Sequence, residues 1–394
     1  MTPHDNSHHT HLSLFDDIPR TGTRAKRANE GDFAYFNTSA RSVIGRMRDV
    51  LEGYFGRFSE SAAPEVRKRF RSKDIVGHRS ALFEIVLHEV ATRLGCQLNP
   101  HPVIAGVATH PDFLVWEPTN SASFYLEAIV PGDSKDEVSA AKREGEVYAI
   151  LDQIDSPNFF VNVAVRGSPG TPVPMSKIRK RIEEELSALD PDKVASMPAE
   201  SIPRWQFNHD GWDLEFWPMP KNAARNKAGL RTLGIRGTFG WQQVTPEVPV
   251  RRAVEVKAKR YGILDRPYVV AVNALDILVD RDAITDALLG DPFEAVQETT
   301  AGHLKHHGRM KNGAFGNHAN PRNQEVSAVL VFTLLRVDRL RDCEVCLYHH
   351  PWAKRPYGGL LTKFPQRTTQ GGKYVDVDGI SLGDLLDLPS AWPE

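Results

Sequence analysis

Between Ser80 and Leu94 apolar residues return every three or four positions, and Phe83, Leu87, Val90, Ala91 and Leu94 fall on one face. That spacing predicts an amphipathic helix, and Gly95 is placed to end it. Glu84 and His88 lie one turn apart beside the apolar face. The period then shortens. Phe113–Trp116 follows the dipeptide Pro111-Asp112, and Phe124–Val130 carries Glu127 between apolar neighbours. The loop 117–123 between them is rich in turn formers. His78 to Val130 therefore reads as one helix followed by three strands. A hairpin of this length brings Asp112, at the start of one strand, beside Glu127 on its partner.

The same reading covers most of the chain. Val43, Met47, Val50, Leu51, Tyr54 and Phe58 make a helical stripe from Thr38 to Phe58. Ser134 and Glu137 form a capping box ahead of Val138, Ala141, Tyr148, Leu151 and Ile154, which predicts a second helix. Phe159–Val165 is a strand between Pro157 and the Gly167-Ser168-Pro169-Gly170 turn. Ser176–Leu189 is a charged helix, and Trp205–Pro218 alternates about Asp210-Gly211 as a hairpin does. Arg251–Tyr261 is a basic helix ended by Gly262, and Tyr268–Val272 and Val326–Leu335 are core strands. Residues 221–250 carry no assignable pattern. The Gly- and His-rich stretch Ala301–Asn323 reads as a mobile loop near a functional face.

Of 394 residues, 41% are hydrophobic and 25% charged, which predicts a folded protein of two or three domains. The net charge of −1 gives no general attraction to nucleic acid, so any such binding needs basic residues gathered on one face. Three cysteines are too few for a disulfide scaffold and point to a reducing cytoplasm. No apolar run reaches membrane-spanning length, so no membrane partner is expected.

Asp112 and Glu127 are the candidate chemistry. Two carboxylates a few ångströms apart repel unless a cation lies between them. Mg²⁺ prefers carboxylate and water oxygens, and it activates water and steadies charge on a phosphate. Helix acid, strand, Pro-Asp, strand, second acid is also the order found in the PD-(D/E)XK (restriction-endonuclease-like) nuclease superfamily, and this chain resembles a bacterial branch of it. Asp112 matches the first acid, Glu127 the second and Glu84 the helix acid, with Glu89 an alternative. The resemblance implies an αβββαβ core with a mixed sheet, Mg²⁺ (or Mn²⁺) held by Asp112, Glu127 and Glu84, and phosphodiester hydrolysis in DNA, in restriction or phage defence.

One position departs from that pattern. The superfamily's lysine falls two residues after the second acid, where this chain has Ile129. That lysine orients the attacking water and neutralises phosphate charge. Lys142, on the helix after Glu127, and Lys257 are the replacements the chain offers. Lys257-x-x-x-Tyr261 has the shape of the Gln-x-x-x-Tyr helix of helicase-linked branches, which ranks it first. Should neither reach the acids, the fold would serve as a catalytically inactive nucleic-acid-binding or interaction protein.

Expected boundaries follow: a disordered tail 1–31, a helical arm 32–78, the nuclease-like core 79–166, an insertion with a hairpin 167–250, and a C-terminal α/β extension 251–394 packed on the core. The partners implied are DNA and a second copy or partner subunit. Other stretches could touch phosphates or bases: Arg67, Lys68, Arg69, Arg71 and Lys73; Trp205, Trp212 and Trp217; and the HHPWAKRPY run His349–Tyr357. The basic run reads also as a solvated helix face, and the tryptophans as caps of a small core. The histidines of the tail (His4, His8, His9, His11) and of the later stretch (His303, His306, His307, His318) are candidate metal ligands without a ligand framework. Cys343 and Cys346 would face opposite sides of a strand and read as core thiols.

Overall fold

The structure is a computed structural model, and it describes residues 12–27, 30–118, 123–131, 146–148, 151, 153–166, 174–198, 201–221, 233–237, 247–275, 279–299, 302–370 and 373–394. Helices α1 (Asp32–Thr38), α2 (Ser42–Phe55), α3 (Ala63–Phe70) and α4 (Ile75–Arg93) lead into strands β1 (Gln97–Pro100), β2 (Phe113–Trp116) and β3 (Ser123–Ile129). Next come β4 (Phe159–Arg166), α5 (Met175–Ser187), α6 (Pro191–Ala195), β5 (Trp205–His209), β6 (Trp212–Pro220) and β7 (Leu233–Gly237). The chain continues through α7 (Glu247–Ala258), β8 (Tyr268–Ala274), α8 (Arg281–Leu289), β9 (Pro292–Thr299), β10 (Gly302–Arg309), β11 (Gly316–Asn317) and β12 (Asn320–Pro321). It closes with β13 (Ala328–Thr333), β14 (Glu344–His349), β15 (Gln366–Gln370), β16 (Lys373–Val377) and α9 (Leu382–Leu385).

The chain divides into two compact units, one of Met1–Thr23, Asp32–Gly132 and Thr245–Glu394, the other of Arg24–Gly31 and Asp133–Val244. The first unit is built on a mixed eight-stranded sheet of order β1-β2-β3-β8-β13-β14-β15-β16. β1, β2 and β3 pair antiparallel, while β3–β8 and β8–β13 pair parallel. Setting the second unit aside, the order from α4 to β8 is helix, three strands, helix, strand.

Side chains alternate along these strands and feed two apolar layers. Phe113, Val115, Phe124, Leu126 and Ala128 join Phe83, Leu87 and Val90 of α4 on one face. Leu114, Tyr125, Val270 and Val272 join Val250, Val254 and Ala258 of α7 on the other. Full burial of a side chain such as Phe83 contributes about 1.5–3 kcal/mol. Cys343 belongs to the first layer and Cys346 to the second, both free thiols, and burial pushes them up to about 12 and about 11.

Several expected boundaries move. α4 begins at Ile75 rather than Ser80, because the Asp74 carboxylate accepts from Val76 N (3.3 Å) and Gly77 N (3.1 Å) and caps the first turn. Gly95 ends the helix region at φ +87°, as the pattern predicts. The largest correction concerns β4. Phe159–Val165 does not enter the sheet of β2 and β3; it pairs with β6 and β7 in the second unit, and β8 takes the place beside β3. The expected core 79–166 therefore breaks near residue 132, and the inserted unit runs to 244 rather than lying between 167 and 250. Both strands are almost uninterrupted apolar runs, so periodicity alone does not rank them as partners. The C-terminal strands extend the main sheet itself.

The tail is docked from Leu14, which is buried with Phe15, and both backbone N–H groups donate to the Glu52 carboxylate, at 2.9 and 2.7 Å. Ala301–Asn323 is not one loop. It contains β10, paired along its length with β9, and the short β11–β12 hairpin. The β5–β6 hairpin turns at Asp210 (φ 44°) and Gly211 (φ 86°), as the Asp-Gly pair predicts. Among the described residues no helix is long and apolar enough to cross a membrane.

Candidate active site

The β2–β3 register pairs Phe113 with Leu126, so Asp112 stands directly across from Glu127. The two clamp each other through the backbone. Asp112 N donates to Glu127 Oε2 at 3.2 Å, and Ala128 N donates to Asp112 Oδ2 at 2.6 Å. His101 N donates to the Asp112 carbonyl at 3.0 Å and fixes that end of β2.

Strand alternation turns Glu127 toward the face covered by α7, and the end of α7 meets it there. Lys257 Nζ donates to Glu127 Oε1, and Arg260 Nη1 reaches the same oxygen at 3.2 Å. The Tyr261 hydroxyl lies 2.6 Å from Glu127 Oε2 and 2.8 Å from the His110 carbonyl oxygen, so two acceptors compete for one proton. α7 stops at Ala258, and Tyr261 occupies the turn before Gly262, whose φ of +68° suits glycine. The Tyr268 ring meets Tyr261 edge-on at 5.8 Å and holds it in place. Glu127 is 1% exposed and Lys257 12%, so the pair is dry, while Arg260 is 42% exposed and reaches solvent.

The acids raise each other's cost. Burial pushes the Asp112 carboxyl well above the usual carboxylate range, and the Glu127 and Glu84 charges push it further; Lys257 and the Ala128 N–H pull it back. Burial and Glu127 together push the Tyr261 hydroxyl up, so it stays protonated and donating.

The other expected site residues are placed differently. Glu84 sits on α4, on the opposite face of the sheet, and both its oxygens are taken by Arg69, at 2.7 and 2.6 Å. It influences Asp112 by charge while its oxygens serve Arg69. Glu89 is buried between Arg57 and Arg93. Lys142 lies outside the described residues. Ile129 packs against the α7-side layer. Among the described residues no three His, Cys, Asp or Glu side chains group as a metal-holding cluster.

The basic and aromatic stretches are largely committed to the fold. Arg67 donates to the Ser13 carbonyl, Arg69 to Glu65 and Glu84, and Arg71 to Asp16; Lys68 and Lys73 remain exposed. Trp212 is buried, and Arg204 lies over the Trp217 ring at 4.9 Å. In the HHPWAKRPY run His350 is buried against the Arg322 carbonyl, and Tyr357 donates to Glu117. His349 meets Gln366 at 2.9 Å. The tail histidines lie outside the described residues.

Arg260 and the Arg69–Glu84 fork are the elements that sequence reasoning missed. Arg260 stands three residues after Lys257, in the turn that follows α7, and that spacing matches one side of the helix expected over Arg251–Tyr261. The Arg69 fork depends on how α3 packs on α4, which no local pattern encodes. No family model, curated protein or solved structure matches this chain.

Proposed function

We propose that this protein is a divalent-metal-dependent phosphodiesterase acting on DNA, built on a restriction-endonuclease-like core whose motif lysine has moved to the helix after the insertion. The observation that carries the reading is the convergence of Asp112, Glu127 and Lys257 from three separate elements. Two carboxylates sharing a buried space, one of them pushed toward protonation by burial and then by the other's charge, form an all-oxygen donor set that suits Mg²⁺ or Mn²⁺. Asp112 and Glu127 would hold the ion. When bound, it would supply charge neutralisation at the scissile phosphate and a more acidic water.

The protein's own groups have distinct tasks in this reading. Lys257, nearly buried, orients the attacking water and offsets negative charge. Tyr261 fixes the Glu127 carboxylate by its hydroxyl and ties it to the His110 backbone. Arg69 engages both oxygens of Glu84.

A second reading has an observation of its own. A carboxylate offers about four lone-pair positions. Glu127 already accepts from Lys257, Arg260, Tyr261 and the Asp112 N–H. A site so fully satisfied by protein donors also suits a nuclease fold that binds nucleic acid without cutting it. Supercoiled plasmid incubated with the full chain and Mg²⁺ or Mn²⁺ separates the two. The first reading expects nicking that Asp112→Asn and Lys257→Met abolish. Equal nicking by wild type and Asp112→Asn would reject it, and DNA binding without nicking would establish the second.

A further inference from the structure

The turn after α7 does more than deliver Tyr261 to Glu127. Three residues on, Leu264 N donates to Glu325 Oε2 at 3.3 Å. Glu325 also accepts from Lys354 Nζ at 2.7 Å and from Arg355 Nη1 at 3.1 Å. The run that carries these two cations is fastened to the same place: Lys354 N donates to the Gln324 carbonyl, and Gln324 Nε2 to the Trp352 carbonyl. Two residues before Gln324, Arg322 pairs with Glu255 of α7 at 3.2 Å. Arg260, Arg322, Lys354 and Arg355 are thus drawn around one helix end, beside the exposed Lys259.

The layering of charge in this group is informative. The acids lie deeper than the cations: Glu325 is 14% exposed and Lys354 51%, and Glu127 lies beneath Arg260 in the same way. An acid below fixes each cation in position and uses few of its donors. A guanidinium has five N–H donors, and Arg260 and Arg355 each spend one of them on a side-chain acceptor. The exposed acid nearby, Asp265, is occupied by Tyr125 and Arg266. Outward-facing, pre-positioned guanidinium and ammonium groups are what phosphate oxygens recognise. Tyr261 to Leu264 spans at most about 11 Å of chain. That is about three base-pair rises along the axis of a duplex.

We infer that Arg260, Arg322, Lys354 and Arg355 form a phosphate-binding belt that carries a nucleic-acid strand away from the Asp112–Glu127 pair. The belt rests on the nucleic-acid reading above and deepens it, since it assigns the strand's path and its anchoring outside the acid pair. It gives the HHPWAKRPY run a part through its two cations, while its aromatic residues serve the fold.

The test is fluorescence anisotropy of a labelled 30-mer duplex with the full chain in EDTA, so that cleavage plays no part, over a series of salt concentrations. Removing a cation that neutralises one phosphate lowers the salt slope by about 0.9. Lys354→Ala with Arg355→Ala should weaken binding at least tenfold and reduce the slope by nearly two. The single variant Lys354→Gln leaves Glu325 with Arg355 and Leu264 N and should reduce it by nearly one. The charge-matched pair Arg179→Ala with Lys180→Ala, on an exposed helix of the second unit, should change neither beyond a small general loss. An unchanged slope in Lys354→Gln and in a folded double variant overturns the belt, whether or not the protein nicks plasmid. Belt-dependent binding by a protein that never nicks keeps the belt and overturns only the catalytic reading. Competition by poly-glutamate as effective as by DNA of equal charge would make the surface a general polyanion acceptor and overturn the nucleic-acid assignment.

Discussion

Replacing Lys257 by methionine removes a charge and keeps most of the stem. Glu127 is 1% exposed and would lose its nearest cation, keeping Arg260 at 3.2 Å, the Tyr261 hydroxyl at 2.6 Å and the Asp112 N–H at 3.2 Å. Breaking a buried ion pair from one side costs about 3–5 kcal/mol when the remaining charge has no other partner. Three donors remain here, so Lys257→Met should cost about 2–3 kcal/mol, below or at the foot of that range. Glu127→Gln should cost less, about 1–2 kcal/mol, because Lys257 reaches solvent more easily and Asp112 is relieved of a like charge. In the Glu127→Gln background Lys257→Met should then cost little, giving a coupling of about 1–3 kcal/mol. Urea unfolding followed by tryptophan fluorescence and far-UV circular dichroism measures all four proteins, with comparison of midpoints at unchanged slope. A Lys257→Met cost under about 0.5 kcal/mol, with strictly additive singles, would refute the argument that these two groups support each other.

Other outcomes follow from the same geometry. Asp112 has a folded-state pKa above its unfolded value, so the folded protein binds the extra proton, and stability is lost as pH rises from about 3.8 through the raised value. Asp112→Asn should therefore raise Tm at pH 8 more than at pH 4, and a pH-independent difference would contradict this. His88 is depressed to about 4 by burial, so its contribution is present above about 6.5 and lost as pH falls toward 4. His88→Leu should flatten the acid limb of a Tm-against-pH curve, and an unchanged limb would count against the assignment. Arg69→Ala leaves Glu84 buried without a cation and should cost about 3 kcal/mol in urea unfolding, several times the cost of Lys68→Ala on the same helix. Asp74→Ala removes the cap of α4 and should cost about 1 kcal/mol, recovered in part by Asp74→Ser.

What the sequence revealed tracks how far each interaction reaches along the chain. The helix before Gly95 and the β2–β3 hairpin are local, and each buries one face against a layer, so the apolar period marks them. Asp112 and Glu127 became legible together for that reason, being opposed across a short loop. Lys257 and Tyr261 are remote in number from Glu127, yet their four-residue spacing points to one side, and the turn after α7 keeps both on Glu127. β8 could not be told from β4, because a strand buried on both faces has no alternation to read and either run suits a place beside β3. Arg69 and Glu84 are separated by a helix boundary and meet only through the packing of α3 on α4, so the acid looked free.

The insertion also bears on where the cation beside Glu127 comes from. A side chain two residues after Glu127 faces the same side of the sheet. Here position 129 is Ile129, packed into the layer beneath α7, and a charged side chain there would displace apolar surface. The crossover from β3 to β8 passes through the whole second unit before α7 covers the sheet. α7 ends over Glu127, so its last turn and the turn after it supply the ammonium, the guanidinium and the phenol together. The three groups on residues 257–261 thus act on Glu127 from one short segment.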